Sequence, residues 1–137
     1  MPTNTLGHSL KAASLALLFM GLAACGEKPL SDIKAPTVIE AILSGDDKAW
    51  DEMRSKKIRW AGSVVQALMV HGDEFVKEYY LRFDPGFGAG AIAEVPIRPS
   101  QAENYKPGQA ITVTALILSH EKENQTTIVK LGSGKVE

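Results

Sequence analysis

The residues of this chain that carry reactive or ligating groups are few, and most of them lack a second group to work with. The one thiol, Cys25, becomes a nucleophile only when it is activated or presented with a reactive donor. His71 and His120 each fall in a predicted turn, with no second His or Cys at ligand spacing. Both read as solvated, and neither a metal nor a cofactor is expected. The carboxylate pairs Asp46/Asp47 and Asp51/Glu52 fall on the charged side of a predicted helix and read as a solvated face rather than a catalytic dyad. No serine sits in a Gly-x-Ser-x-Gly elbow. Gly86-Phe87-Gly88-Ala89-Gly90 has the glycines of a phosphate loop but lacks the following helix and its Lys-Ser/Thr, so it reads as a flexible hairpin loop. Two arginine–aromatic pairs remain, Arg59/Trp60 and Tyr80/Arg82. A ring offers stacking area and a guanidinium offers a planar charge, a combination that binds rather than catalyses.

Cys25 is explained by what precedes it. Residues 12–24 are uncharged and mostly apolar. A membrane-spanning helix needs about 20 such residues, so the stretch fits the apolar part of an export signal instead. It ends in Leu22-Ala23-Ala24-Cys25, which resembles the lipobox of bacterial lipoproteins. That resemblance implies that residues 1–24 are a signal peptide and that Cys25 takes the lipid as the first residue of the mature chain. Gly26 stands where an Asp commonly signals inner-membrane retention. The expected location is therefore the periplasmic face of the outer membrane. The polar stretch to Ala35, with Pro29 in it, reads as a lipidated tether spanning residues 25–35.

Removal of residues 1–24 from the 137 leaves 113, enough for one small domain. Lys11 goes with the signal, so the mature chain carries a slight negative charge. A protein that relies on phosphate contacts is usually distinctly basic, which argues against nucleic acid as the partner.

The element pattern changes once along the chain. From Pro36 to about Ser55 the apolar residues Ile39, Ile42, Leu43, Trp50 and Met53 follow helical spacing. Gly45 can end one helix there, and Asp46 can cap a second. After Lys57 the period becomes two. Strands are expected at 58–70, 75–83, 91–97, 110–118 and 126–131. Gly62 marks a bulge or bend, and one helical turn is expected near 100–105. In the second strand Phe75, Tyr79, Leu81 and Phe83 should face the core. That turns Tyr80 and Arg82 outward as a binding face. In the fourth, Ile111, Val113, Ala115 and Ile117 should point inward.

An N-terminal helical segment followed by five short strands matches a mainly β architecture, the five-stranded OB-fold-like barrel, over residues 36–137. Two stretches carry a more specific likeness. Lys56-Lys57-Ile58-Arg59-Trp60-Ala61-Gly62-Ser63-Val64 and Tyr105-Lys106-Pro107-Gly108-Gln109-Ala110-Ile111-Thr112-Val113-Thr114-Ala115 resemble the first and fourth strands of tRNA-anti-like OB-fold proteins, many of them lipoproteins. Ala115 stands where that family usually has Gly. Ile58-Arg59-Trp60-Ala61-Gly62 is also loosely similar to starvation-inducible outer-membrane lipoproteins. These resemblances imply a non-enzymatic, lipid-anchored binding or interaction module. Its partner would be an envelope protein or a small oligomer. The alternative is a binder of oligonucleotides or oligosaccharides in the envelope.

Replacement of the thiol tests the anchor directly. Cys25→Ser is expected to abolish incorporation of a labelled fatty acid. Undiminished label on the variant would remove the lipid from Cys25.

Overall fold

The computed structural model describes residues 28–88 and 90–137, so the signal segment and Cys25 lie outside the described residues. Two helices lead the fold. α1 (Ala35–Ser44) starts with Pro in its first turn and stops at Gly45, which takes the left-handed conformation (φ 68°) and donates its N–H to the Ile42 carbonyl. α2 (Asp47–Met53) is capped by Asp46, whose carboxylate accepts the Ala49 N–H at 3.2 Å.

Five strands follow: β1 (Lys57–Gly72), β2 (Lys77–Asp84), β3 (Ala91–Ile97), β4 (Ala110–Glu123) and β5 (Thr126–Val136). They close into a barrel in the order β1-β2-β3-β5-β4, with β3 and β5 parallel and every other pair antiparallel. This is the expected OB-type barrel. A 3-10 turn (Pro99–Asn104) connects β3 to β4.

β1 bends where the sequence placed the bend. Its register against β4 slips between Trp60 and Ser63, and Gly62 between them has φ 68°. β1 pairs with β4 up to Val64, on both sides of the bend, and from Val64 onward it pairs with β2. The core fills from alternate positions: Ile58, Trp60 and Val65 on β1, Leu81 and Phe83 on β2, Ile111, Val113, Ala115 and Ile117 on β4, Val129 and Leu131 on β5. Ala35, Val38 and Ile39 of α1 join this core.

Several expectations are corrected. The second strand starts at Lys77, not Phe75. Asp73 Oδ1 accepts the N–H groups of Phe75 (2.8 Å) and Val76 (2.9 Å), which makes a tight turn and leaves Phe75 92% exposed. Tyr79 is only partly buried. The glycine-rich connection is tied down: Asp84 Oδ1 accepts from Gly86 and Phe87, and the buried Phe87 ring meets Trp60 edge-on at 5.6 Å. The β4–β5 turn is tighter than expected. β4 runs on through His120 to Glu123, so His120 lies on a strand, its ring edge-on to Trp50 at 4.6 Å. β5 likewise continues to Val136 as Thr112 and Glu137 exchange backbone bonds at 2.9 Å.

Residues 28–34, expected as tether, lie along the barrel. Leu30 bridges Lys57 in parallel, and Ser31 N–H donates to the Lys57 carbonyl at 2.7 Å. The Trp60 indole N–H reaches the Ile33 carbonyl at 2.9 Å. They occupy the β1 edge that β2, pairing only from Val64, leaves open.

Val113 is fully buried, whereas Thr112 points away from the core. Val113→Ala should cost about 1–3 kcal/mol in lost contacts and cavity. Thr112→Ala should leave the melting temperature nearly unchanged. Equal shifts in thermal unfolding would contradict this register.

Candidate functional site

The outer face of β2, β3 and β5 holds a charged row laid out by strand register. Arg82 lies opposite Glu94, and Glu94 opposite Lys130. Arg82 Nε donates to Glu94 Oε2 at 2.8 Å, and Lys130 Nζ to Glu94 Oε1 at 2.7 Å. Glu94 is 1% exposed, so both carboxylate oxygens are taken from water and returned to a cation each. The β4–β5 hairpin adds two more carboxylates. Arg82 Nη2 reaches Glu123 at 3.0 Å, and Lys130 Nζ reaches Glu121 at 3.2 Å. The hairpin is thereby latched across the face.

A cleft of about 330 Å³ lies beneath that hairpin, lined by Gln66, Met69, Arg82, Ile92, Glu123 and Asn124 among others. Its floor is apolar: Ile92 and Ile128 are buried here, apart from the main core. Across the charged row a second groove, of about 520 Å³, is lined by His71, Glu78, Tyr80, Glu94, Glu121 and Lys130. In it Tyr80 donates its hydroxyl to Glu78 at 2.6 Å, and its ring meets His71 edge-on at 5.3 Å. The hydrogen bond to Glu78 holds the Tyr80 hydroxyl above its usual pKa. A larger open groove of about 580 Å³, between Pro96–Arg98 and Gly134–Val136, holds no comparable cluster.

Burial pushes the Glu94 carboxyl up, but the bonds and charges of Lys130 and Arg82 outweigh it and hold Glu94 below the ordinary carboxylate value. Lys130 and Arg82 also lose solvent here, yet their carboxylate partners raise both overall. The row is therefore fully ionised at neutral pH.

The structure brings Tyr80 and Arg82 to one face. Arg82 is not the free side chain expected of a solvated strand residue; it is 14% exposed and bonded on two sides. Arg59 and Trp60 part company: Arg59 is exposed and Trp60 lines the core. Sequence reasoning missed Glu94 and Lys130. The signal for Glu94 was present, a lone carboxylate in the otherwise uncharged run Ala91–Ile97. Among the described residues no three His, Cys, Asp or Glu side chains gather as a metal site.

Protonating Glu94 should loosen the row. Its pKa is depressed in the fold, so its stabilising contribution is complete above about pH 4.3 and is lost as the pH falls through the folded-state value. Chemical denaturation from pH 7 to pH 3 should show the parent losing more stability than Glu94→Gln, which starts lower and has no carboxylate at this position to protonate. Parallel curves would mean that Glu94 contributes nothing to the acid sensitivity.

No protein-family model matches the chain, and no curated protein matches it. Among solved structures it is similar to a "putative nucleic acid-binding lipoprotein" from Klebsiella pneumoniae subsp. pneumoniae. The TM-score is 0.52 over 80% of this chain and 92% of that one, at 14% sequence identity. At that identity what the two chains share is the fold.

Proposed function

We propose that this chain is a lipid-anchored, non-enzymatic binding module of the cell envelope. Cys25 holds it to the periplasmic face of the outer membrane, and the cleft under the β4–β5 hairpin takes the ligand. The observation that carries this reading is the cleft itself: an apolar floor of Ile92 and Ile128, rimmed by Arg82 and Glu123, with Tyr80 in the groove on the other side of the charged row. OB barrels commonly bind on this strand face and with the adjoining loops. The outer nitrogen of Arg82 is held by Glu123, which is half-exposed and on a hairpin. A ligand bearing carboxylate or carbonyl oxygens can take the place of Glu123 there while Glu94 keeps Arg82 in position. An envelope protein presenting an extended segment fits this chemistry. The likeness to tRNA-anti-like lipoproteins supports the same assignment, as does Gly26 behind the lipobox.

A second reading, an oligonucleotide binder, draws on the description of the Klebsiella protein. The charge across the cleft and the adjoining groove opposes it. Glu78, Glu94, Glu121 and Glu123 stand against Arg82 and Lys130, and a phosphate backbone needs the reverse balance.

Both readings meet one pair of measurements on the acylated protein. Cross-linking in envelopes should capture a partner, and Tyr80→Ala should cut its recovery about tenfold, as truncating an aromatic anchor does. Labelled single-stranded RNA or DNA should show no binding tighter than about 0.1 mM at physiological salt. Micromolar, salt-sensitive nucleotide binding that Tyr80→Ala abolishes would replace the first reading by the second.

A further inference from the structure

The proposed anchor and the observed course of residues 28–34 together fix which side of the barrel meets the membrane. Gly26 and Glu27 alone separate Cys25 from Lys28. Three residue steps span at most about 11 Å. At Lys28 the chain is already held to the domain: its Nζ donates to the Ser55 carbonyl at 3.0 Å, and Leu30 bridges Lys57 two residues later. A domain on so short a leash touches the bilayer that holds its lipid.

The surface around that point has the chemistry of a lipid interface. Leu30 is 56% exposed beside Lys57. Lys28 and Arg59 are exposed two residues from this bridge on either strand, Lys56 is exposed next to Lys57, and none of these four cations is in an ion pair among the described residues. Lys57 and Arg59 share the outward side of β1, because Ile58 and Trp60 take the inward one. The adjoining sequence sets Glu27 and Asp32 against these four cations, and α2 adds Asp51, which is engaged with Arg54 at 3.5 Å. An exposed leucine ringed by long basic side chains suits the boundary of an anionic membrane: apolar atoms enter the interface and ammonium groups reach phosphate.

We infer that the face formed by Lys28, Leu30, Lys56, Lys57 and Arg59 rests on the surface of a bilayer containing anionic phospholipid. This rests on the proposed acylation of Cys25, which can fail separately. The cleft at Arg82 and Glu123 lies on the other half of β1's course, beyond the Gly62 bend, where Gln66 and Met69 line it, and is left free for its ligand.

The test uses the mature acylated protein in vesicles of phosphatidylcholine with phosphatidylglycerol, probed with an amine-acetylating reagent and read by mass spectrometry. Lys28, Lys56 and Lys57 should react about tenfold more slowly than in detergent micelles, whereas Lys106 and Lys122 should react at unchanged rates. Protection should weaken in vesicles of phosphatidylcholine alone and at high salt, where the charges are screened. Lys56→Glu with Lys57→Glu should restore the reactivity of Lys28 while the acylated chain still floats with the vesicles. If an acylated, vesicle-bound chain shows Lys28, Lys56 and Lys57 as reactive as Lys122, the inference is overturned and the anchor stands. A chain with no acyl mass that fails to float overturns the anchor, and this inference with it.

Discussion

β1 has to serve two neighbours that lie on different sides of the barrel. As far as Val64 it pairs with β4, and from Val64 onward with β2. β1 turns that corner at Gly62, whose backbone takes φ 68°, a conformation glycine adopts without a Cβ penalty. Nothing crowds the missing side chain at Gly62, so the demand is one of backbone conformation alone. Closure of the barrel follows from this bend, and so does its one local weakness. Where β1 has left β2 unpaired, a strand edge lies open, and residues 28–33 cover it. The position of the proposed lipid, the orientation on the bilayer and the freedom of the far face all descend from that geometry.

The charged row on the outer face depends on closure in turn. Arg82, Glu94 and Lys130 come from three strands and meet because β2–β3 pairs antiparallel and β3–β5 parallel in one register. A slip of one residue in either ladder would point Glu94 into a core of Leu81, Phe83 and Val129 with no cation to meet it. The buried carboxylate therefore penalises wrong registers more than it stabilises the right one. Its two hydrogen-bonded cations offset a desolvation cost that apolar packing would not incur.

The strands were legible because alternation is a local property. Val113 and Ile117 announce an inward face, and Gly62 announces a bend, without reference to anything distant. Three features escaped for a common reason. Asp73 converts Phe75 from strand to turn by accepting two backbone N–H groups, a local contest that an apolar count cannot see. Phe87 sits among glycines that suggest a mobile loop, yet its ring is needed against Trp60, twenty-seven residues away in the chain. The slip in β4's register at Ala115, where the resembled family usually has Gly, also escaped, and the partner strand accommodates it. Ser133, with φ 50°, and Gly134 stand opposite Ala115. In the candidate site, Tyr80 and Arg82 were legible as a face, whereas their partners Glu94, Glu121, Glu123 and Lys130 needed the fold to assemble them.

The seam between residues 28–33 and β1 also has a mechanical meaning. With Cys25 in the bilayer as proposed, a partner that pulls on the barrel pulls against the lipid, and the tension enters the domain through this seam. It is joined by Ser31 to Lys57, Trp60 to Ile33 and Lys28 to Ser55, far fewer bonds than the ladders behind it. The seam yields first. Six freed residues would lengthen the connection by about 20 Å and leave the strand ladders of the barrel paired. A modest tug would thus convert a domain seated on the membrane into one that reaches away from it, and release would let the seam close again.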